Sequence, residues 1–543
     1  MGIENKSDCH VLVIGSGGAG IRAAIDASSS GETIIVSKTI TGKGGCTVMA
    51  EGGYNAVLTS TDSISMHYED TMKGGAFLND PALVEVLVRE APDRIHDLFA
   101  WGAVFDLTSD NKIAQRPFGG QCFPRTCYSG DHTGHEIIMT LLEKLRSSSV
   151  EILDELLIID LLKDGNTISG AITCDRDGEL GIITADAVIL ATGGAGQVYD
   201  ITTNSSAGTG DGYALGYRAG AELIDMEQVQ FHPTGAVYPD ATRGRLITEA
   251  IRGEGGLLFN GMGERFMEKY DPIHKELSTR DVVARAIATE VLEGRGTVHG
   301  GVWLDVTHLS SEQIETRLPV MLEQSLKFGT DIRTQPMEVA PTAHHFMGGL
   351  RITPDTHTTL PHLFAAGEVT GGVHGANRLG GNALAETQVF GCRAGRAAAM
   401  VKHSSMHAID LVQIQSAEER IAQLYEGISS PAEIRHLMKR IMWNNVGIFR
   451  NKLDLMVAER DIAKLRSVPL CISSSHEISD ALITENMLLV ASLVIDGALL
   501  RRESRGAHTR TDIKIPWAHN TSPFAHTFFS KAKSGIEILE GRL

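Results

Sequence analysis

A glycine-rich loop between a predicted strand and a predicted helix constrains the fold of this chain more than any other feature. The β-branched run at 11–14 predicts a buried strand, and residues 19–30 have helical alanine spacing. Residues 15–20 between them read G-S-G-G-A-G, which matches G-x-G-x-x-G. The first glycine permits a tight turn, the second lets backbone approach a pyrophosphate, and the third lets helix and strand pack closely. With a second strand at 33–36, this predicts a nucleotide-binding α/β unit.

Two later segments repeat the pattern of a buried strand that ends in small residues. Residues 191–194 read A-T-G-G after an apolar run, and residues 364–368 read F-A-A-G-E. Open α/β sheets bind ligands at the carboxyl ends of their strands. Strand 33–36 is followed by Ser37 and Lys38 rather than by the acidic residue that binds the ribose of NAD, which leaves the ribose partner open. Three such points favour one long dinucleotide, FAD, lying across a discontinuous domain.

Charge and cysteine content exclude several classes of protein. The chain has 49 basic and 67 acidic residues and a net charge of −18. This charge repels phosphate backbones, so we expect no binding of nucleic acid. The seven cysteines include no C-x-x-C pair. That argues against a disulfide framework and against an iron–sulfur cluster held by this chain.

The sequence predicts no transmembrane segment. The longest apolar stretch, 487–500, is interrupted by Asp496 and Gly497 and is too short to span a bilayer. The N-terminal residues 1–6 lack the apolar core of a signal peptide. We therefore expect a cytoplasmic protein, or one that partner subunits bring to a membrane.

The rest of the chain can be divided into segments by its secondary-structure patterns and its glycine content. Helical patterns occur at 81–101, 135–146 and 383–400, whereas 151–184 reads as hairpin-like strands with Asp-Gly turns. The 58 glycines exceed the roughly 38 expected for this length at about 7%. Beyond about residue 405 they become sparse, and helical periodicity dominates.

Several side chains in the middle of the sequence are suited to bind carboxylates. Arginine donates paired hydrogen bonds to a carboxylate, and histidine or threonine can bind a second one. Glu249 precedes Arg252 by three residues, so in a helix both would face the same side. Taken singly, a residue such as Arg280 or His232 is more often structural, and spacing alone does not choose between His344 and His345. The set is Arg252, Arg280, Arg378, His232, His344 and Thr248.

Six motifs together resemble a known family. They are Q-R-P-F-G-G-Q at 115–121, T-G-D-G at 209–212, F-H-P-T-G at 231–235, R-G-E-G-G at 252–256, R-D-V-V at 280–283 and H-G-A-N-R at 374–378. The chain resembles the flavoprotein subunits of the succinate dehydrogenase/fumarate reductase family, which also contains L-aspartate oxidase. In character it is most similar to soluble archaeal thiol-driven fumarate reductases.

The resemblance implies an α/β architecture with three parts. A discontinuous Rossmann-like FAD-binding domain would span 1–225 and 342–405. An inserted α+β capping domain would occupy 226–341, and a C-terminal helical domain would occupy 406–543.

The resemblance also implies roles for the carboxylate-binding set. A dicarboxylate would bind between the flavin and capping domains, held by His232, Thr248, Arg378 and the histidine of P-T-A-H, His344. Hydride from flavin N5 would reduce fumarate. Arg280 would supply the proton and be refilled through Glu249 and Arg252. The flavin contacts carried over by motif are Gly15, Gly17, Gly18, Ala19, Gly20, Ser37, Lys38, Thr47, Gly52, Gly53, Asp211, Glu368, Asn382 and Leu384.

The chain departs from the family's pattern at two positions. Members in membrane complexes attach FAD to the histidine of H-T-V, but residues 46–48 read C-T-V. We therefore predict non-covalent FAD, with a cysteinyl link at Cys46 as the alternative. Aspartate oxidases have a glutamate where this chain has Phe118. Since a phenyl ring cannot pair with an ammonium group, Phe118 favours unsubstituted dicarboxylates at the substrate site.

The sequence thus predicts a flavin-dependent oxidoreductase subunit that interconverts fumarate and succinate, most readily in the direction of fumarate reduction. Its electrons would come from a separate iron–sulfur subunit. L-Aspartate oxidase is the alternative enzyme. A non-catalytic flavin protein for assembly or electron carriage is the alternative of another class, disfavoured because a carrier needs no dicarboxylate clamp. Sequence leaves open the direction, the donor, and any role of Cys122 and Cys127.

Overall fold

The computed structural model describes residues 5–404, 409–513, 525–531 and 534–538. Its largest sheet has seven strands, which are β1 Asn5–Ile14, β2 Thr33–Ser37, β6 Glu151–Asp154, β7 Leu157–Asp164, β8 Thr167–Cys174, β9 Leu180–Leu190 and β16 Leu363–Ala365. They lie in the order β6-β2-β1-β9-β8-β7, with β16 also paired to β9. The strands β1, β2, β6, β9 and β16 are parallel, and β7 and β8 are antiparallel additions beside β9.

The carboxyl ends of three parallel strands meet at one edge of this sheet. Ala191 N–H donates to the carbonyl of Ile14 at 2.8 Å, and Ala366 N–H donates to the carbonyl of Leu190 at 3.0 Å. The residues that follow β1, β9 and β16 are therefore neighbours although they are far apart in sequence. This confirms the α/β fold class.

Helices cover the sheet, and two of them cross very closely. The helices of this domain are α1 Gly18–Ala27, α2 Ile64–Gly74, α3 Pro81–Ala100, α4 Thr133–Arg146, α5 Asp211–Ala219 and α11 Asn382–Ala399. A side chain at Gly395 of α11 would lie 2.3 Å from the Ala23 carbonyl of α1. The glycines of this region thus let the backbones of α1 and α11 come into contact. A short sheet of β3 Tyr54–Asn55, β4 Gln115–Arg116 and β5 Thr126–Cys127 lies in the same domain.

An inserted unit has its own sheet and its own apolar core. Its elements are β11 Val229–Ala236, α6 Ala250–Gly253, β12 Leu257–Phe259, α7 Met267–Tyr270, α8 Arg280–Leu292, β13 Val302–Asp305, α9 Ser311–Arg317, α10 Pro319–Lys327 and β14 Met337–Phe346. The sheet has the order β11-β14-β13-β12. The core contains Leu258, Ile287, Leu304 and Val339, all fully buried. This unit corresponds to the expected capping domain.

The C-terminal region is helical first and ends in strands. Its helices are α12 Leu411–Gln423, α13 Pro431–Asn445, α14 Lys452–Ser467 and α15 Ile478–Leu500. Beside these helices, β17 Phe449–Arg450 pairs with β18 Thr509–Arg510. In addition, β10 Leu223–Ile224, β15 Gly349–Leu350, β19 Ala525–Phe529 and β20 Ser534–Ile538 form a sheet with the flavin domain. Residues 406–408, 514–524, 532–533 and 539–543 of the predicted segment 406–543, and residues 1–4 of the N-terminus, lie outside the described residues.

One helix is long and apolar enough to cross a membrane by length and composition. It lies within Ser475–Leu500, and 67% of its apolar window is buried inside the protein. A helix that is apolar on all sides is typical of a protein core as well as of a membrane span. The burial identifies α15 as a core helix. The helix begins before the apolar stretch 487–500, because polar residues such as Asp480 and Asn486 interrupt the apolar pattern without ending the helix.

The strand prediction for 151–184 was wrong in one respect. Strand β6 pairs in parallel with β2 at the edge of the main sheet instead of forming a hairpin. The hairpins predicted further on do form, since β7 pairs with β8 and β8 with β9. An exposed edge strand with polar ends does not reveal its partner through its own sequence.

Candidate active site

A cavity of about 680 Å³ opens at the carboxyl edge of the main sheet and extends to the capping unit. Its flavin-domain wall consists of the residues after β1, β2, β9 and β16 together with the N-terminal ends of α1 and α11. Its opposite wall includes Thr248, Glu249 and Arg280 of the capping unit. The volume is typical of a cofactor site, for which about 300–1,000 Å³ is usual.

The nucleotide loop has the geometry that a bound pyrophosphate requires. Gly15 has φ +108°, and a side chain there would lie 2.3 Å from the Ala191 carbonyl. A side chain at Gly20 would lie 1.8 Å from the Gly15 carbonyl, so helix and strand touch at this point. At Gly17, by contrast, the nearest atom is Thr47 Oγ1 at 3.8 Å. The N-terminus of α1 is thus open to an anion, which free N–H groups and the helix dipole favour.

A partly buried ion pair lies at the other side of the nucleotide region. Lys38 Nζ contacts Asp211 Oδ2 at 2.6 Å, and Asn486 Nδ2 donates to Asp211 Oδ1 at 2.8 Å. Burial would raise the pKa of Asp211, but Lys38 and these hydrogen bonds lower it instead. Both Lys38 and Asp211 line the cavity. The basic residue after β2 therefore neutralises a carboxylate of α5.

Most of the predicted flavin contacts line this cavity. The exceptions are Gly20, whose part is the close packing just described, and Asn382. Asn382 is fully buried and accepts from Asn55 Nδ2 at 2.7 Å, so it fixes the start of α11 from behind. The lining members are Gly15, Gly17, Gly18, Ala19, Ser37, Lys38, Thr47, Gly52, Gly53, Asp211, Glu368 and Leu384.

The predicted substrate residues meet at the end of the cavity that the capping unit covers. Arg252 alone does not line the cavity; it lies buried behind Glu249, with Nη2 at 3.6 Å from Glu249 Oε1. That contact confirms the expectation that both face the same side of a helix, here α6 with Glu249 directly before it. The lining members are His232, Thr248, Glu249, Arg280, His344, Arg378 and Phe118.

Glu249 joins the two arginines Arg280 and Arg252. Its Oε2 contacts Arg280 Nε at 2.8 Å, and its Oε1 accepts from Gly119 N–H at 3.1 Å. Burial alone would raise the pKa of Glu249, but the guanidiniums of Arg280 and Arg252 lower it to about 2. The carboxylate is therefore ionised. Arg252 continues the chain by donating from Nη1 to the Glu276 carbonyl at 2.6 Å.

Gln230 holds two of the arginines and was not predicted from the sequence. Its Oε1 accepts from Arg280 Nη1 at 3.3 Å and from Arg378 Nη2 at 3.2 Å. Gln230 lies two residues before His232 on β11, so the period-2 alternation of a strand could have found it. Burial, followed by repulsion from Arg280, lowers the pKa of Arg378 to about 9.

Two neutral histidines face each other beside these arginines. The rings of His232 and His344 have centroids 4.9 Å apart. Burial and neighbouring positive charge hold the pKa of both well below the ordinary value. His232 Nδ1 lies 3.2 Å from both the N–H and the carbonyl oxygen of Thr234, so it accepts from the first or donates to the second according to its tautomer. His344 Nδ1 is paired with Thr203 Oγ1 at 2.7 Å. Each ring thus keeps one nitrogen for a ligand.

Cys46 and Phe118, the two departures from the family pattern, both line the cavity. Burial and the nearby Glu368 raise the pKa of the Cys46 thiol to about 12, so the thiol is protonated at neutral pH. Phe118 is buried between the walls, with the Arg116 guanidinium 5.5 Å from its ring centroid.

His345 lines the cavity next to His344 but turns its Nδ1 toward Glu368, at 3.5 Å. Burial raises the pKa of Glu368 to about 7.

A dinucleotide cradle joined to an arginine–histidine cluster defines the class of protein as a flavoprotein oxidoreductase. Comparison with known families agrees: residues 10–384 match the family described as an FAD binding domain. Residues 435–538 match the family described as the fumarate reductase flavoprotein C-terminal region. The chain belongs to the succinate dehydrogenase/fumarate reductase flavoprotein family, whose members are FAD-dependent enzymes acting on CH–CH bonds.

Relatives and solved structures support this assignment over most of the chain. The chain is 53% identical to one of the subunits of the CoM/CoB fumarate reductase of Methanothermobacter marburgensis, over 93% of this chain and 94% of the relative. Quinol fumarate reductase FrdA of E. coli has a TM-score of 0.92 at 34% identity, covering 98% of this chain and 97% of that one. Mycobacterium smegmatis Sdh1 has a TM-score of 0.86 at 38% identity, covering 98% and 94%. The three-part architecture is therefore confirmed.

Proposed function

We propose that this chain is the catalytic flavoprotein subunit of an enzyme that interconverts fumarate and succinate and that it works as a fumarate reductase. The observation that carries the proposal is the continuous contact from Arg280 through Glu249 to Arg252, placed against the cavity that also presents Arg378. An aspartate oxidase would need a group for the substrate ammonium. The buried phenyl ring of Phe118 offers none.

The cavity end binds a dianion through an excess of positive charge. Arg280 and Arg378 line it, and the carboxylate of Glu249 is already shared by Arg280 and Arg252. A dicarboxylate can therefore pair with Arg378 at one end. Its other end can accept hydrogen bonds from the neutral rings of His232 and His344 and from Thr248. Binding at both ends orients the double bond and draws electron density toward the carboxylates.

Reduction of fumarate consumes two electrons and two protons, and the chain supplies one proton route. Bound FAD supplies hydride chemistry at this site. Arg280 donates a proton to the substrate carbon that does not receive the hydride, and Glu249 returns a proton to Arg280. Arg252, held by the Glu276 carbonyl, is the next member of this route after Glu249. A low pKa of Glu249 keeps it an acceptor, so it passes protons without storing one.

The cradle residues fit a non-covalent FAD. The open position at Gly17, the N-terminus of α1 and the Lys38–Asp211 pair would hold its diphosphate and ribose. The thiol of Cys46 is a poor nucleophile in its protonated form, so no bond from sulfur to the flavin is expected.

Electrons reach the flavin from a separate iron–sulfur subunit in this proposal. All seven cysteines of the chain lie in its described part and are free, and none belongs to a group of potential metal ligands there. The relative from M. marburgensis is named as part of a CoM/CoB fumarate reductase, and we extend to this chain a thiol-derived source of electrons. The complex would be cytoplasmic, with any membrane association through partner subunits.

The test uses the purified flavin-loaded chain with reduced viologen as the electron donor. Fumarate should reoxidise the viologen and yield one succinate for every two molecules of one-electron-reduced viologen that are oxidised. Absence of this reaction, with the chain alone and with its co-purified partner, would refute the proposal. Oxidation of L-aspartate with release of peroxide would favour the aspartate oxidase alternative. Flavin binding without either reaction would favour the non-catalytic alternative.

A further inference from the structure

Two exposed arginines at the edge of the cavity take no part in the site described so far. Arg243 and Arg245 lie on a loop of the capping unit, residues 237–246, which we call the entrance loop. Both arginines line the same cavity as Arg280 and Arg378. Both are exposed to solvent, unlike those two buried arginines. One continuous cavity thus has positive charge at its solvent side and at its closed end.

The entrance loop has a defined shape. It leaves β11 at Ala236 and returns beside it, because Ala236 N–H donates to the Arg245 carbonyl at 2.8 Å and Gly244 N–H donates to the Ala236 carbonyl at 2.9 Å. Gly244 has φ +86°, and a side chain there would lie 3.3 Å from the Thr202 carbonyl of the flavin domain. Gly244 therefore lets the tip of the loop close against the flavin domain. Arg243 and Arg245 lie directly before and after Gly244, at this contact between the loop and the flavin domain.

Neither guanidinium is neutralised within the part of the chain that the structure describes. No carboxylate lies within ion-pair distance of Arg243 or Arg245, and neither side chain has a hydrogen bond there. The chain has 18 more acidic than basic residues, so acidic partners are abundant elsewhere. Arg245 is held by its contact with the ring of Phe328, 5.1 Å from the ring centroid, at the end of α10. The aromatic contact fixes the side chain without cancelling its charge.

Two acidic groups of this region, Glu51 and Asp240, do not neutralise the positive charge of Arg243 and Arg245. Glu51 lines the same cavity, and burial together with Asp131 raises its pKa to about 8. At neutral pH it is mostly uncharged. Asp240, on the entrance loop itself, forms no ion pair with either arginine within 4.0 Å in the described residues.

We infer that Arg243 and Arg245 form an anion-capturing entrance that draws the dicarboxylate from solvent toward Arg378 and Arg280. The inference rests on the proposed function only for the identity of the anion. The chain as a whole is acidic and repels a dianion, so a local positive entrance is needed for rapid association. A cleft lined by one sign of charge raises association rates by about 10–1,000-fold, and salt removes the effect.

The experiment compares Arg243→Gln, Arg245→Gln and the double variant with the wild-type flavin-loaded chain. Stopped-flow measurement of fumarate binding, followed by the flavin absorbance, gives the association rate without turnover. Viologen-driven reduction gives kcat and kcat/KM. We expect the double variant to lose about tenfold in association rate and in kcat/KM at about 20 mM salt, and less than about twofold at about 500 mM. The kcat and flavin content should not change.

Two controls separate charge at the entrance from charge in general. Arg440→Gln removes one positive charge, as each single entrance variant does, on the exposed side of α13, away from the cavity, and should leave all rates unchanged. Changing both arginines to lysine keeps the charge and should restore at least half of the wild-type rate. Equal association rates in the double glutamine variant and wild type at low salt would overturn the inference, as would an equal effect of Arg440→Gln.

Other outcomes assign the arginines differently. If viologen-driven rates stay normal but electron transfer from the iron–sulfur partner fails, the arginines are a docking surface and the inference is wrong. If kcat falls with kcat/KM at every salt concentration, they act in the chemistry and not at the entrance. If the wild type binds fumarate but does not reduce it, the proposed function fails while the binding rates still decide the role of the entrance.

Discussion

The guanidinium of Arg280 lies against the carboxylate of Glu249, with Nε at 2.8 Å and Nη2 at 2.7 Å from the same Oε2 atom. Both side chains are at least nine-tenths buried. Such a pair, taken out of water, is costly unless both groups keep their partners. The contact with Glu249 therefore fixes the orientation of the Arg280 guanidinium, so that one face of it is turned toward the cavity.

Replacing Arg280 by lysine should nearly abolish turnover while the flavin stays bound. A lysine ammonium cannot contact Glu249 through two nitrogens and still donate to Gln230, as Arg280 does. We expect viologen-driven fumarate reduction to fall at least about a hundredfold, the usual cost of a lost transition-state donor. The ratio of flavin absorbance to protein absorbance should equal that of wild type. Retained activity would remove Arg280 from the role of proton donor, and Arg440→Lys is the matched control.

Glu249→Gln should reveal the ionisation of Glu249 through the pH dependence of stability. Because the folded-state pKa is lowered from 4.5 to about 2, ionised Glu249 stabilises the fold above about pH 4.5. This contribution, on the order of 3 kcal/mol, is lost as the pH falls toward about 2. The difference in unfolding free energy between wild type and variant should therefore shrink between about pH 5 and pH 3. A difference that is constant across this range would contradict the low pKa.

The nucleotide-binding half of the fold could be predicted because its signals are local. The loop at 15–20, and the small residues after β9 and β16, lie directly beside the strands they end. Parallel pairing then brings those points together by geometry alone. The position of β6 and the terminal strands β19 and β20 could not be predicted in this way. Their partners, β2 and β10, are distant in sequence, and short edge strands have little pattern of their own.

The same distinction between local and long-range signals applies to the residues of the site. Motif residues such as Arg378 and His232 were predicted, although each is ambiguous when taken singly. Gln230 was missed because a buried glutamine has no distinctive chemistry until its two arginine partners are placed around it. Arg245 was missed because a loop arginine in a sequence is ordinarily a solvated charge. Only the tertiary closure at Gly244 brings it to the cavity.

Glu51→Gln should stabilise the protein at alkaline pH. Burial and the neighbouring Asp131 raise the pKa of Glu51 from 4.5 to about 8, and its Oε2 has no hydrogen-bond partner in the described part of the chain. A carboxyl group with a raised pKa costs stability increasingly as the pH rises from about 4.5 to about 8. The Tm of the variant, relative to wild type, should therefore rise between pH 5 and pH 8.5. Parallel Tm profiles would show that Glu51 ionises normally.

Acid precipitation should release the flavin into the supernatant. The prediction follows from the protonated thiol at Cys46, whose raised pKa of about 12 leaves no thiolate to bond to the cofactor. The supernatant should carry the yellow absorbance of free FAD, and Cys46→Ser should bind and release the same amount. Colour that stays with the precipitated wild type and is lost from the precipitated serine variant would demonstrate a cysteinyl link.

Gly17→Ala and Gly20→Ala should have opposite effects on folding and on flavin binding. A methyl group at Gly20 would lie 1.8 Å from the Gly15 carbonyl, so α1 must move away from β1 and the fold should lose stability. At Gly17 the nearest atom is 3.8 Å away, so the chain can accept the methyl group. That methyl group would point into the cavity, where the second glycine of the loop lets a pyrophosphate approach the backbone.

The two variants are measured by thermal unfolding of the flavin-free chain and by titration with FAD. Gly17→Ala should keep the wild-type Tm without flavin and bind FAD about tenfold or more weakly, a cost of about 1.4 kcal/mol. Gly20→Ala should have a lower Tm even without flavin. A normal affinity of Gly17→Ala for FAD would mean that the phosphates do not sit over this loop. The helix N-terminus of α1 would then have no part in holding the cofactor.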